Sequence, residues 1–285
     1  MAMKLKQRIV LGYYKTKFNT LGKISPSLAA ASAFTLFCSP YSGKKSLPVP
    51  PVFEKANHVA IKIAGINIKG FHWPATQENA RKILICHGFD SSSYRFDKYV
   101  VSLLQQGFEV YAFDAPGHGI SDGKTINVLV YKDAIVAIQK QFGAFYGVMA
   151  HSLGGLATAL AAEEMQEPAN IVLIAPATET TRAINNFFTY IPLHHKTRTA
   201  FENLIQQMSG KTIEWFSVTR ALTHIPSAVL WLHDKEDKVC PYEDTLAAQQ
   251  MHLPNVEFVI TKGLGHSNIY RDNAMQKKII DFFME

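Results

Sequence analysis

Ala150-His151-Ser152-Leu153-Gly154-Gly155 follows the apolar run Phe145-Tyr146-Gly147-Val148-Met149 and precedes the helix-forming run Leu156 to Met165. A serine with small residues two positions before and two after it, set between a strand and a helix, is the pattern of a nucleophile elbow. The reason is steric: the turn is so tight that only small side chains let strand and helix pass. It also holds the serine in a strained backbone conformation with Oγ exposed. Ala150 stands where the motif usually has glycine, one methyl larger and still small.

Working outward, strand and helix patterns alternate. Asn57 to Ile63 and Ile66 to Trp73 alternate apolar and polar residues around Ala64-Gly65, which predicts an antiparallel hairpin. Lys82-Ile83-Leu84-Ile85-Cys86 is a short continuous apolar run, as expected of a strand buried on both faces. Further strands are predicted over 108–113, 145–150, 171–175, 228–232 and 256–260. Helices are predicted over 94–106, 127–142, 153–166, 242–251 and 273–283. The alternation breaks over 178–224. Alternating strands and helices imply a mostly parallel sheet with helices on both faces, and sites in such sheets form at the carboxyl ends of the strands. His87, Asp114, Ser152, Asp237 and His266 all stand just after predicted strands.

A serine hydroxyl needs a base to take its proton and an acid to orient that base. Gly263-Leu264-Gly265-His266-Ser267 follows strand 256–260, and its glycines would let a loop histidine reach across the sheet, so His266 is the expected base. His151 is the weaker candidate, expected to pack. The acid should follow strand 228–232, where Asp234, Glu236 and Asp237 are available. Asp237, just before Val239 and Pro241, is preferred, and the other two read as solvated loop charge. A tetrahedral oxyanion needs preorganised donors. The Leu153 N–H, at a helix N-terminus, is one, and the Phe89 N–H in His87-Gly88-Phe89-Asp90 is the choice for the second.

Five segments together, Ile85 to Phe89, Asp114 to Ser121, Ala150 to Gly155, His233 to Pro241 and Gly265-His266, resemble the α/β-hydrolase superfamily in its serine esterase, lipase and lysophospholipase-like branch. The resemblance spans roughly residues 57 to 285. It implies an α/β-hydrolase fold: a mostly parallel, doubly wound sheet with a small helical cap and, here, an N-terminal helical extension. It also implies that Asp114 and His118 are structural and that 178–224 is a cap insertion, whose Phe187, Phe188, Tyr190, Ile191, Leu204, Trp215 and Phe216 would line an acyl-binding pocket or pack the cap. Asp234 stands where relatives usually carry glycine. The expected organisation is an extension and linker over 1–52 and a hydrolase domain over 53–285.

The expected activity is hydrolysis of a carboxylic ester, on a small-molecule or lipid substrate with an apolar acyl group, through an acyl-enzyme and without a cofactor. A thioesterase or amidase using the same triad, or a non-catalytic binding protein on this fold, are the alternatives. A dehalogenase or epoxide hydrolase would want aspartate in place of Ser152.

Charge and composition narrow the partners. The chain has 285 residues, 47% hydrophobic and 18% charged, enough for a sizeable globular core. Its net charge of +6 is unevenly spread. The first acidic residue is Glu54, and eight cations precede it: Lys4, Lys6, Arg8, Lys15, Lys17, Lys23, Lys44 and Lys45. The remainder carries 21 basic and 23 acidic residues, so a nucleic-acid-binding face on the main domain is not expected. Met3, Val10, Leu11, Tyr14, Phe18 and Leu21 recur at helical spacing. Such a basic amphipathic helix either packs on the main domain or makes peripheral membrane contact through residues 1–22. Leu28 to Cys38 is too short to span a bilayer, no signal or transit peptide is expected, and four prolines between Pro40 and Pro51 mark a linker. Three cysteines without metal-type spacing fit a reducing, cytoplasmic setting. Neighbouring histidines seldom converge on one ion, so His194-His195 predicts no metal site.

Overall fold

A computed structural model describes residues 5–43, 47–63, 65–165 and 170–285. Met3 and Lys4 of the predicted amphipathic helix, Lys44 and Lys45 of the linker, and the last residue of the helix predicted over 153–166 lie outside the described residues.

Eight strands form one sheet: β1 (Asn57–Ile63), β2 (Ile66–Trp73), β3 (Lys82–Cys86), β4 (Glu109–Phe113), β5 (Gly147–His151), β6 (Asn170–Ile174), β7 (Ala228–Asp234) and β8 (Val256–Thr261). Their order across the sheet is β1-β2-β4-β3-β5-β6-β7-β8. The hairpin β1–β2 is antiparallel and joins β4 antiparallel; every other pairing is parallel. The helices are α1 (Leu5–Ile24), α2 (Pro26–Phe37), α3 (Asp97–Gln105), α4 (Val128–Phe142), α5 (Leu153–Ala162), α6 (Thr180–Tyr190), α7 (His195–Ser209), α8 (Val218–Leu222), α9 (Leu246–Gln250), α10 (Gly265–Asn268) and α11 (Asn273–Met284).

Local chemistry sets the boundaries. Asn127 caps α4 by accepting from the Val130 N–H, and Gly143 at φ 85° ends it. Ser25 caps α2, with Pro26 in the first turn where its missing N–H costs nothing. The structure ends the helix predicted over 153–166 at Ala162 and shortens two others at their starts. Residues 93–96 and 242–245 form 3₁₀ turns before α3 and α9, neither with a side-chain cap to extend the helix backward. His266, expected on an open loop, lies in the short helix α10.

The chain divides into two compact units, one of the residues up to Ser39 with Glu179–Phe216, the other of Pro40–Thr178 with Ser217–Glu285. In the larger unit the central strands alternate their side chains between two apolar layers. Ile83, Ile85, Val110, Ala112, Met149, Val172 and Leu230 share one cluster with α3 and α11. Leu84, Cys86, Tyr111, Phe113, Val148 and Ala150 share the other with α4 and α5. β5, covered on both faces, is buried at all five positions, which is why its sequence shows no alternation.

In the smaller unit, helices from both ends of the sequence range meet. Phe34 and Phe37 of α2 lie edge-on to Phe201 of α7, at ring-centroid distances of 5.5 and 5.8 Å, and Phe37 also meets Phe187 of α6. Asn19 of α1 donates to the Pro192 carbonyl at 3.2 Å. At Gly22 a Cβ would lie 2.7 Å from Thr197 Oγ1, so α1 and α7 approach at glycine distance. Phe18 is buried, with Leu11, Tyr14 and Leu21 half-buried on the same face of α1.

Candidate active site

The strand order reverses at β3: β4 lies on one side of it and β5 on the other. Such a switch point opens a crevice at the carboxyl ends of the strands. Two loops meet there, His87-Gly88-Phe89-Asp90 after β3 and the turn at Ser152 after β5.

Ser152 separates β5 from α5 at φ 54°, ψ −120°. A non-glycine residue at positive φ costs on the order of 1–3 kcal/mol and persists only where its surroundings enforce it. The enforcement is visible. Ser152 N–H donates to the Ile174 carbonyl at 3.1 Å, and its own carbonyl accepts from Gly155 at 2.9 Å and Ala177 at 3.0 Å. Glycine fills the crowded positions: a Cβ on Gly154 would sit 2.5 Å from the His87 carbonyl oxygen, and one on Gly88 would sit 2.8 Å from Ser152 Cβ. Ala150 is fully buried with its methyl in the apolar layer against α5, so its departure from glycine is accommodated.

His266 Nδ1–H donates to Asp237 Oδ2 at 2.7 Å. The other carboxylate oxygen, Oδ1, accepts from the Val239 N–H at 2.8 Å and the Cys240 N–H at 2.9 Å. Burial pushes the Asp237 carboxyl up, but the bond and charge of His266 and the two backbone donors outweigh it and hold it below the ordinary carboxylate value. Asp234, the alternative acid, does not touch His266. It accepts from the Glu236 N–H, the Thr261 hydroxyl and the Leu264 N–H, fastening the loops after β7 and β8 to each other. Burial opposes its ionisation, yet those donors lower it to about 2. Glu236 is exposed.

Leu153 and Phe89 contribute backbone rather than side chains. Among the described residues neither N–H has a hydrogen-bond acceptor, and Gly88 keeps the Phe89 loop against Ser152. That loop is fixed from both sides. Asp90, itself at φ 54°, donates its N–H to His118 Nε2 at 3.0 Å, and its carboxylate takes the Ser42 N–H and hydroxyl at 2.9 and 2.6 Å. Asp114 clamps the neighbouring loop, accepting from Ser93 and from the Ile120 N–H. His87 accepts from the Ala115 N–H through Nε2 at 2.9 Å and donates from Nδ1 to the Gly88 carbonyl at 2.7 Å. With Nε2 engaged as acceptor, its 3.6 Å approach to Asp114 is not an ion pair. Burial drives His87 down to about 4, against the raising charge of Asp114, so it is neutral.

Three neighbours brace the site: His151, the weaker candidate for the base, and His233 and Cys240, which the sequence did not single out. His151, expected only to pack, donates from Nε2 to the His266 carbonyl at 3.0 Å, and its ring lies 4.7 Å from those of both His266 and Tyr270. Its Nδ1 is buried without a partner, and burial followed by the charge of His266 lowers it to about 3. His233 accepts from Trp231 and donates to the Cys240 carbonyl at 2.8 Å, bracing the loop that carries Asp237. Burial pushes the Cys240 thiol, close to Ser152, far above the ordinary thiol value. These contacts cross from one strand end to another, and no spacing in the sequence marks them. No hydrogen bond joins Ser152 Oγ to His266 Nε2 among the described residues; such bonds are often long before substrate binds. Nor is any group of three or more His, Cys, Asp or Glu among them placed to hold a metal ion.

Residues 77–227 match the family model described as serine aminopeptidase S33, a hydrolase family, and the chain belongs to that family. It is 32% identical over 117 residues to a serine hydrolase-like protein of Dictyostelium discoideum, covering 39% of this chain and 32% of that one. It is 29% identical over 143 residues to the uncharacterised hydrolase YugF of Bacillus subtilis, covering 47% of this chain and 50% of that one. The chain thus spans half or less of the length of these curated relatives. Among solved structures, the esterase Pf2001 of Pyrococcus furiosus superposes with a TM-score of 0.64 at 17% identity, over 85% of this chain and 97% of that one, which is a likeness of α/β-hydrolase fold.

Proposed function

We propose that this member of the serine aminopeptidase S33 family is a serine hydrolase that cleaves carboxylic esters through an acyl-enzyme. The observation that carries this is the 2.7 Å bond from His266 to Asp237, with Ser152 held at positive φ at the carboxyl end of β5 in the same sheet. Ser152 Oγ attacks the ester carbonyl while His266 Nε2 takes its proton, and Asp237 stabilises the imidazolium. The Leu153 and Phe89 N–H groups hold the oxyanion. On collapse of the tetrahedral intermediate the C–O bond to the alcohol breaks, and the alcohol leaves with the proton from His266. Water then attacks the acyl-enzyme by the same route, with its proton passing through His266 back to Ser152. The preference for an apolar acyl group rests on the aromatic residues of 178–224. A cytoplasmic, small-molecule or lipid ester substrate and peripheral membrane contact through residues 1–22 complete the proposal; no described helix is long and apolar enough to cross a membrane.

The test is labelling by a fluorophosphonate, comparing the native chain with Ser152→Ala, followed by turnover of p-nitrophenyl esters of increasing chain length and of aminoacyl p-nitroanilides. The expected outcome is labelling that is lost in the variant, with esters turned over faster than anilides. Native protein that is folded but unlabelled would overturn the assignment, and anilides turned over faster than esters would move it to amide hydrolysis.

A further inference from the structure

On the inner face of α1, Phe18 is buried and Leu11, Tyr14 and Leu21 are half-buried. Its outer face has an unusual makeup. Ile9, Val10, Tyr13, Thr16, Lys17, Thr20, Lys23 and Ile24 recur at intervals of three and four residues and all are exposed. Ile9, Tyr13 and Ile24 expose 64%, 62% and 78% of their surfaces, and Leu28, early in α2, exposes 62%. A helix whose only task is packing puts such side chains on its inner face; here they form a second apolar stripe opposite the first. Lys17 and Lys23 lie within that stripe, with the exposed Arg8 and Lys15 elsewhere on the helix. No acidic residue occurs anywhere before Glu54 to neutralise them or to repel an anionic surface.

We infer that this outer face of α1 docks on an anionic lipid surface, with Ile9, Val10, Tyr13 and Ile24 entering the interface and Lys17 and Lys23 pairing with lipid phosphates. Apolar residues and cations on one folded helix face, without carboxylates, are the two complementary requirements of an interfacial helix. An acidic protein partner would use the cations but leave the apolar stripe unexplained. The helix docks folded, because Phe18 and its neighbours stay buried. Since α2, α6 and α7 share its unit, they travel with it. The inference deepens the peripheral contact proposed above and is independent of turnover.

The experiment is co-sedimentation of the full chain with phosphatidylcholine vesicles and with mixed phosphatidylcholine–phosphatidylglycerol vesicles. Two outer-face variants accompany it, Ile9→Ser/Tyr13→Ser/Ile24→Ser and Lys17→Gln/Lys23→Gln, each checked for an unchanged melting temperature. Each cation near an anionic surface contributes about a factor of five, so the charge variant should bind mixed vesicles roughly 25-fold more weakly. The apolar variant should lose binding by at least about tenfold, and native binding should fall as salt rises. Native protein that binds while both variants bind equally well overturns this face and leaves the broader contact standing. Native protein that binds neither vesicle overturns both. Equal binding to the two vesicle types overturns the anionic requirement and with it the inference.

Discussion

Replacing Asp237 by asparagine tests the proposed roles at the atom where they are decided. Asp237 Oδ1 accepts two backbone N–H bonds, at 2.8 and 2.9 Å, and Oδ2 accepts His266 Nδ1–H at 2.7 Å. An asparagine carbonyl must take the place of Oδ1, because turning the amide round would strand two buried N–H groups at about 1–3 kcal/mol each. Its NH₂ then faces Nδ1, where donor meets donor, and the imidazole relieves the clash by moving its proton to Nε2. A protonated Nε2 cannot accept from Ser152. The expected loss in kcat is on the order of 10⁴, equivalent to about 5 kcal/mol, the scale found for the same exchange in other serine hydrolases. Folding should suffer far less, since the backbone bonds survive. The assay is kcat on a p-nitrophenyl ester with the rate of fluorophosphonate labelling, run beside Asp234→Asn. Asp234 bonds only the loops, so its variant should melt earlier while the folded fraction keeps kcat within about tenfold. A folded Asp237→Asn protein within about tenfold of native kcat would refute the assignment of the acid and the tautomer together.

Stability should also fall in mild acid. His87 and His151 are held at about 4 and about 3 by burial, below their unfolded value of 6.5, so the unfolded chain binds the protons first. Their stabilising contribution is full above pH 6.5 and is lost as pH falls through the window between 6.5 and those lowered values. Within that window two protons correspond to about 3 kcal/mol per pH unit at most, readable from urea midpoints at several pH values; midpoints flat below pH 6.5 would contradict the neutral assignments. Gly154→Ala places a methyl 2.5 Å from the His87 carbonyl and 2.7 Å from that of Cys86, both backbone atoms that cannot swing aside. It should cost about 3 kcal/mol or prevent folding, and an unchanged urea midpoint would show that α5 does not press on β3 as described.

The parallel core was readable because strands such as β3 and β5 are buried on both faces and so appear as uninterrupted apolar runs between glycine-containing turns. The candidate site residues could be proposed from the sequence because they sit in short loops whose chemistry is local: small residues round Ser152, glycines round His266. Asp237 was preferred over Asp234 without any view of the hydrogen bonds that separate them. Where information is non-local, the sequence fell silent. Helical spacing showed that α1 has an apolar face, yet not that α2 brings Phe34 and Phe37 to Phe201, a pairing across more than 160 residues. It also missed the second, outward stripe and grouped Val10 with Leu11, Tyr14 and Phe18, whereas Val10 is exposed on the outer face. His151 looked like packing because its bond runs to a carbonyl 115 positions away.

In the proposed role of nucleophile, the backbone of Ser152 sets stability against activity at one position. At φ 54° and ψ −120° glycine is at ease and serine is not. Ser152→Gly would recover part of the strain, on the order of 1 kcal/mol, and abolish the nucleophile. While the reaction matters to the host, selection holds the less comfortable residue in place. In a lineage where it ceases to matter, that restraint disappears and drift at this codon runs downhill in folding energy. Homologues that have lost the chemistry should therefore carry glycine here more often than any bulkier residue, a fossil of the strain that catalysis once required.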